Sequence, residues 1–183
     1  MERDFTYRVN ADDRIVSVNS DWLSFARENQ ASHLSVKTVV GRPLSQFVTC
    51  KEMQHLYDTI IEKVRRTRRT IVIPFRCDGP TVRRFMELAI SSCTDGDVQF
   101  TGRLIREEPR EAVSFVDSTV DRTDEFVVMC SWCKRVEASG RWLEVELAVR
   151  RLNLFDHKEM PQITHGICGD CAERVLSEID DAR

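Results

Sequence analysis

The chain has 183 residues, of which 42% are hydrophobic and 31% charged, and its formal net charge is −3. Such values belong to globular proteins that bury a real core; they exclude a disordered chain, a disulfide-dense miniature and the basic excess of a general nucleic-acid binder. The opening Met1-Glu2-Arg3-Asp4 alternates charge with no apolar run behind it, and no stretch approaches the roughly 18 apolar residues of a membrane span, so a cytoplasmic protein is expected. In that reducing compartment seven cysteines, an odd number, are not expected to form a disulfide framework.

From the N-terminus, Phe5, Tyr7 and Val9 alternate with Thr6 and Arg8. Asn10-Ala11-Asp12-Asp13 then supplies turn chemistry before Ile15, Val16 and Val18, which predicts a hairpin. Asn19-Ser20-Asp21 offers capping side chains to a short helix carrying Trp22, Leu23, Phe25 and Ala26, which Arg27-Glu28-Asn29-Gln30 ends. Thr49-Cys50-Lys51-Glu52 has the form of a capping box, and Met53, Leu56, Tyr57, Ile60, Ile61 and Val64 recur behind it at helical spacing. The run Arg65-Arg66-Thr67-Arg68-Arg69 suits the negative end of that helix's dipole; without interleaved aromatics it predicts a solvated helix end in preference to a nucleic-acid contact.

Ile71-Val72-Ile73 begins a strand. Met86, Leu88 and Ile90 share one face of the next, and Val98, Phe100 and Leu104 one face of a third, with Thr94-Asp95-Gly96-Asp97 turning between them. Two strands, helices and three strands predict an α+β unit, a five-stranded antiparallel sheet with helices on one face. Its core should include Phe5, Val18, Trp22, Leu56, Ile60, Ile73, Met86, Leu88, Val98 and Phe100. The abrupt change of composition at Arg106-Glu107-Glu108-Pro109-Arg110 marks an expected boundary, giving a first unit over residues 1–108, a linker over 109–125 and a second unit over 126–183.

The order of the first unit resembles the PAS fold over roughly Phe5 to Arg106. The residues that carry the resemblance are the Asn10-Ala11-Asp12 turn, Ile15-Val16-Ser17-Val18-Asn19 leading into the Trp22 helix, Gly41-Arg42-Pro43-Leu44 before Phe47, and the long helix feeding the last three strands. The resemblance implies a sensory or interaction module, commonly a homodimer, whose cleft between sheet and helices holds haem, flavin or a small metabolite in some relatives. The sequence does not identify a cleft ligand. His33 and His55 lack any haem motif around them and read as ordinary histidines, and the photochemical cysteine motif of flavin-binding relatives is absent. Cys50, Cys77 and Cys93 read as small buried hydrophobes in preference to redox sensors.

The second unit contains Cys130-Ser131-Trp132-Cys133 and, with 34 residues intervening after Cys133, a C-x-x-C pair at Cys168 and Cys171. A two-residue spacer lets both thiolates of a tight turn face one ion, and a second pair completes a closed tetrahedron with no position for water, so Cys130, Cys133, Cys168 and Cys171 are expected to hold one structural metal. Soft thiolates select zinc or iron, and zinc is the default where nothing suggests electron transfer. Trp142, Val145, Val149 and Leu152 predict a helix in the insert, and Ala172, Val175, Leu176 and Ile179 another beyond the second pair, which places Cys168 and Cys171 at a helix start where amide N–H groups favour thiolates. Knuckle, insert and ligand-bearing helix start together look treble-clef-like. His165 could replace one cysteine as ligand, but with four thiolates present it is expected to donate a hydrogen bond to sulfur.

Two other readings of the cysteines stay open: a thioredoxin-type redox pair, disfavoured because the pair is duplicated and no parallel strand is predicted before it, and unrelated buried cysteines. The phrase Met129-Cys130-Ser131-Trp132-Cys133-Lys134-Arg135, followed by Thr164-His165-Gly166-Ile167-Cys168, resembles a cysteine-rich tail of bacterial PAS-containing signalling proteins. That implies a bacterial signal-transduction role with a protein partner. No phosphate-binding glycine loop, kinase or cyclase motif or H-E-x-x-H is present, so a non-catalytic component is expected. A zinc-module transcriptional regulator is the rival outside enzymes; Glu144, Glu146, Asp156, Glu159, Asp170, Glu173, Glu178, Asp180 and Asp181 would repel phosphate and disfavour it.

Overall fold

The computed structural model describes residues 3–48, 50–154 and 157–182. The first hairpin pairs β1 (Asp4–Val9) with β2 (Ile15–Val18), and Asn10 closes its turn by accepting the backbone N–H groups of Asp12 and Arg14 on its side-chain oxygen. Asn19 then caps α1 (Ser20–Glu28). Its side-chain oxygen accepts from the Trp22 N–H at 2.8 Å and the Thr6 N–H at 3.1 Å, and its amide donates to the Asp4 carbonyl, so one residue starts the helix and ties it to β1. A one-turn helix, α2 (Val36–Val39), carries a capping box at Ser35 and Thr38 that the sequence reading missed.

The long helix α3 spans Lys51–Thr67. Cys50 is its N-cap and makes no side-chain capping bond; Thr49, with which the expected capping box begins, lies outside the described residues. The helix ends at Arg68, which adopts the left-handed conformation at φ 61° and returns its N–H to the Val64 carbonyl. Within the arginine run, Arg65 pairs with Asp13 at 2.9 Å and Arg68 donates to the Cys93 carbonyl at 2.8 Å, so these cations clasp neighbouring turns.

Three further strands, β3 (Ile71–Arg76), β4 (Val82–Ser92) and β5 (Val98–Pro109), complete an antiparallel sheet in the order β2-β1-β5-β4-β3. Register places Tyr7, Phe100, Ile90 and Ile71 side by side across four strands, and Phe5, Gly102, Leu88 and Ile73 in the adjacent row of the same face. Over these rows α3 lays Met53, Leu56, Ile60, Ile61 and Val64, all buried. Of the ten core residues expected, eight are buried, while Val18 and Trp22 are half-buried at the edge of the cluster.

The charged stretch Arg106-Glu107-Glu108, expected as a boundary, is the end of β5 and pairs with Phe85, Arg84 and Arg83 of β4. Residues 109–125, expected as a linker, are partly exposed and partly structured. They include a 3-10 turn at Ser114–Val116 with Phe115 fully buried, and β6 begins within them at Arg122. β6 (Arg122–Cys130) joins β7 (Val136–Ala138), β8 (Arg141–Leu143) and β9 (Met160–Gly166) in a second sheet of order β8-β7-β6-β9, in which β6 and β9 run parallel. The insert helix α4 is Val145–Arg151; Trp142 belongs to β8 and Leu152 caps the helix C-terminus. The last helix, α5 (Gly169–Asp181), follows β9.

Among the described residues two apolar clusters form the core. One lies under α4 and the second sheet. The other is continuous across both parts of the chain, joining Ile71, Ile73 and Leu88 of the first sheet to Cys130, Trp132, Cys168, Val175 and Ile179. Helix α5 thus packs its Val175 and Ile179 face toward β3 and closes a core that begins in the first hairpin. Charge follows the same seam. Arg76 forks onto Asp78 and reaches Glu144 at 2.7 Å, Arg110 faces both Asp78 and Glu146, and Arg83 pairs with Glu146 at 2.7 Å. Burial works against the Arg76 charge, but Asp78 and Glu144 outweigh it and hold its pKa above the ordinary value. Among the described residues no helix is long and apolar enough to cross a membrane.

Candidate metal centre

Cys130 is the last residue of β6, and the chain turns back into β7 through Ser131-Trp132-Cys133-Lys134-Arg135. The Cys130 N–H donates to the Arg135 carbonyl at 2.8 Å, the Lys134 N–H donates to the Cys130 carbonyl at 3.1 Å, and Lys134 takes the left-handed conformation at φ 61°. That tight reversal turns the Cys133 sulfur toward the Cys130 sulfur. The Ser131 N–H donates to the Gly166 carbonyl at 2.9 Å, which anchors the turn to the end of β9. Two residues later Cys168 is the N-cap of α5, and its carbonyl accepts from the Cys171 and Ala172 N–H groups.

The ligand atoms of Cys130, Cys133, Cys168 and Cys171 all lie within 4.8 Å of one another. Cys133 Sγ and Cys168 Sγ are 3.7 Å apart, close to the ~3.8 Å edge of a tetrahedron with sulfurs ~2.3 Å from a central ion. The Cys168 N–H points at Cys130 Sγ at 3.4 Å, an amide-to-sulfur contact that favours a thiolate. Hydrogen bonds from Cys133 and Cys171 further lower the Cys130 pKa, and the same contacts raise those of Cys133 and Cys171; once one thiolate forms among four crowded sulfurs, only a cation lets the others ionise. Cys130, Cys168 and Cys171 are buried, and Arg135, paired with Asp170 at 2.9 Å, links the knuckle to the first turn of α5. The donor set therefore fits one soft divalent cation, with four thiolates and no open position.

The expected hydrogen bond from His165 to sulfur is not formed. His165 is solvent-exposed at one end of β9, and among the described residues no hydrogen bond joins it to a sulfur. Partial desolvation of its ring and the nearby Lys134 charge lower its pKa. His33 and His55 are exposed as well. Cys50, Cys77 and Cys93 are half-buried, short of the full burial expected of them. The sequence reading missed one further feature: Cys168 does follow a strand, β9, that runs parallel to β6, so the strand context thought absent is present. What separates this site from an isolated dithiol is the second pair of sulfurs against it.

Comparison of the chain with protein-family models and with curated proteins finds no match.

Proposed function

We propose that the four thiolates hold a single zinc ion as a closed structural centre, and that the chain is a non-catalytic signalling component. In this reading residues 1–108 form a PAS-like sensory or interaction unit and residues 126–183 a treble-clef-like zinc unit, the two joined through shared core instead of a free tether. The convergence of four sulfurs from two C-x-x-C pairs carries the proposal, because a closed thiolate tetrahedron stabilises structure and offers no site for a substrate. Zinc is preferred over iron because nothing around the sulfurs points to electron transfer. The resemblance to PAS-containing bacterial proteins supports a protein partner and a homodimer. Native mass spectrometry with elemental analysis of the freshly purified chain should find one zinc per chain, and Cys168→Ser should bring that below one half. Absence of bound metal, or iron in its place, would reject the reading.

A thiol redox function is the second reading, favoured by the strand–Cys168-x-x-Cys171–helix order. It predicts two rapidly titrating thiols in this region of the native protein, whereas the zinc centre predicts none until the metal is chelated.

A further inference from the structure

Beside the apolar cluster under α4 lies a cavity of about 250 Å³, set between the 3-10 turn at Ser114–Val116 and α4 with the start of β9. Its apolar lining is Val113, Phe115, Val149, Leu154 and Met160, all of them buried. The volume falls below the ~300–1,000 Å³ of drug-sized sites, so the space suits a small ligand and not a nucleotide or a flavin.

Three charged side chains line the same space. Glu111 precedes the 3-10 turn and Arg150 stands in the last turn of α4; both are exposed, and among the described residues neither side chain has a hydrogen bond or an ion pair. Arg150 stands four residues after Glu146 and still does not pair with it. Glu146 faces Arg83 at 2.7 Å and Arg110 at 3.3 Å through Oε1, while its buried Oε2 has no hydrogen-bond partner among the described residues. A buried carboxylate oxygen that accepts nothing is costly, and a donor brought by a ligand would relieve that cost. The pattern separates ligand classes. A hydrocarbon would leave both free charges unused, and a simple anion would meet two carboxylates. A zwitterion with a short apolar body complements the whole lining.

We propose that this cavity binds a free α-amino acid with an aliphatic or thioether side chain. The side chain lies among Val113, Phe115 and Met160, the ammonium beside Glu111 and Glu146, and the carboxylate on Arg150. The site lies outside residues 1–108 and uses no metal ligand, so it stands or falls apart from the zinc reading.

The test titrates the full chain as purified, with metal content measured on every sample, and follows amide chemical shifts by NMR. L-leucine should shift the amides of Val113, Ser114, Val149 and Leu154 and saturate at one per chain. L-leucinamide, which lacks the carboxylate, and N-acetyl-L-leucine, which lacks the ammonium, should bind more weakly. Arg150→Gln should weaken L-leucine about fivefold and move L-leucinamide less than about twofold. Glu111→Gln should weaken L-leucine and L-leucinamide alike, about fivefold, and move N-acetyl-L-leucine less than about twofold. Both positions are exposed, so neither variant disturbs the fold. No saturable shifts, shifts confined to other residues, or an L-leucine affinity that neither substitution changes overturns the proposal. N-acetyl-L-leucinamide binding as tightly as L-leucine overturns it too, since the occupant would then be an apolar residue within a partner's peptide.

Discussion

Ile60 is fully buried on the face of α3 that covers the Phe100 row, and helical spacing alone identifies it. Ile60→Ala should cost about 2–5 kcal/mol in denaturant unfolding, since the lost methyl groups leave a cavity that strands on one side and helix on the other cannot close. Metal content should not change; a cost below ~1 kcal/mol would mean that this face of the helix is not packed as described. Single residues were legible where their chemistry is local. Asn19 could be read as a cap because capping needs only the next three residues, and the four cysteines as one cluster because the two-residue spacer is itself the geometry. His165 was misjudged because its distance from sulfur depends on how β9 lies against β6, which no spacing encodes.

Among the elements, the long helix and the longer strands of the first sheet show in the sequence as clean periodicities of 3.6 and 2. The second sheet does not. β7 and β8 have three residues each, too few to establish alternation, and β9 contains Pro161, which argues against a strand unless the strand is an edge, as β9 is. The charged end of β5 reads as a boundary because its side chains are polar, yet its backbone is fully paired to β4. Arg76 shows how these elements are held together: from the end of β3 it reaches Asp78 and the residue that precedes α4, with its side chain about nine-tenths buried. Arg76→Met should destabilise the chain by about 3 kcal/mol, at the low end for a broken buried pair because Arg110 remains 3.5 Å from Asp78. Adding Asp78→Asn should recover part of the loss in urea unfolding. A double variant worse than the single by the full cost of a second break would show that the pair is not coupled.

At the scale of the whole molecule, the described residues form two sheets, and one apolar cluster joins them. A composition change cannot reveal this, because Val175 and Ile179 look the same whether they cover their own unit or another's. In zinc-finger peptides the ion supplies on the order of 10 kcal/mol of folding free energy at neutral pH, and α5 begins on two of the proposed ligands. Cys168→Ser should therefore release the metal and remove hydrogen-exchange protection from α5 and, through the shared cluster, from β3, while β1 and the hairpin beyond it stay protected. Retention of the metal, or loss confined to α5, would refute the coupling of metal to the first core.

The same helix bears on how the chain is made. The first sheet is complete in sequence at Pro109, yet β3 lacks its cover until Val175 and Ile179 of α5 have been synthesised and the knuckle has presented Trp132. These contacts are of high sequence separation, which slows folding and leaves apolar surface uncovered meanwhile. A ribosome-bound chain stopped soon after β5 would therefore expose a sticky strand face to chaperones. If the proposed ion fixes the knuckle and α5, its supply during synthesis would help set how long that exposure lasts.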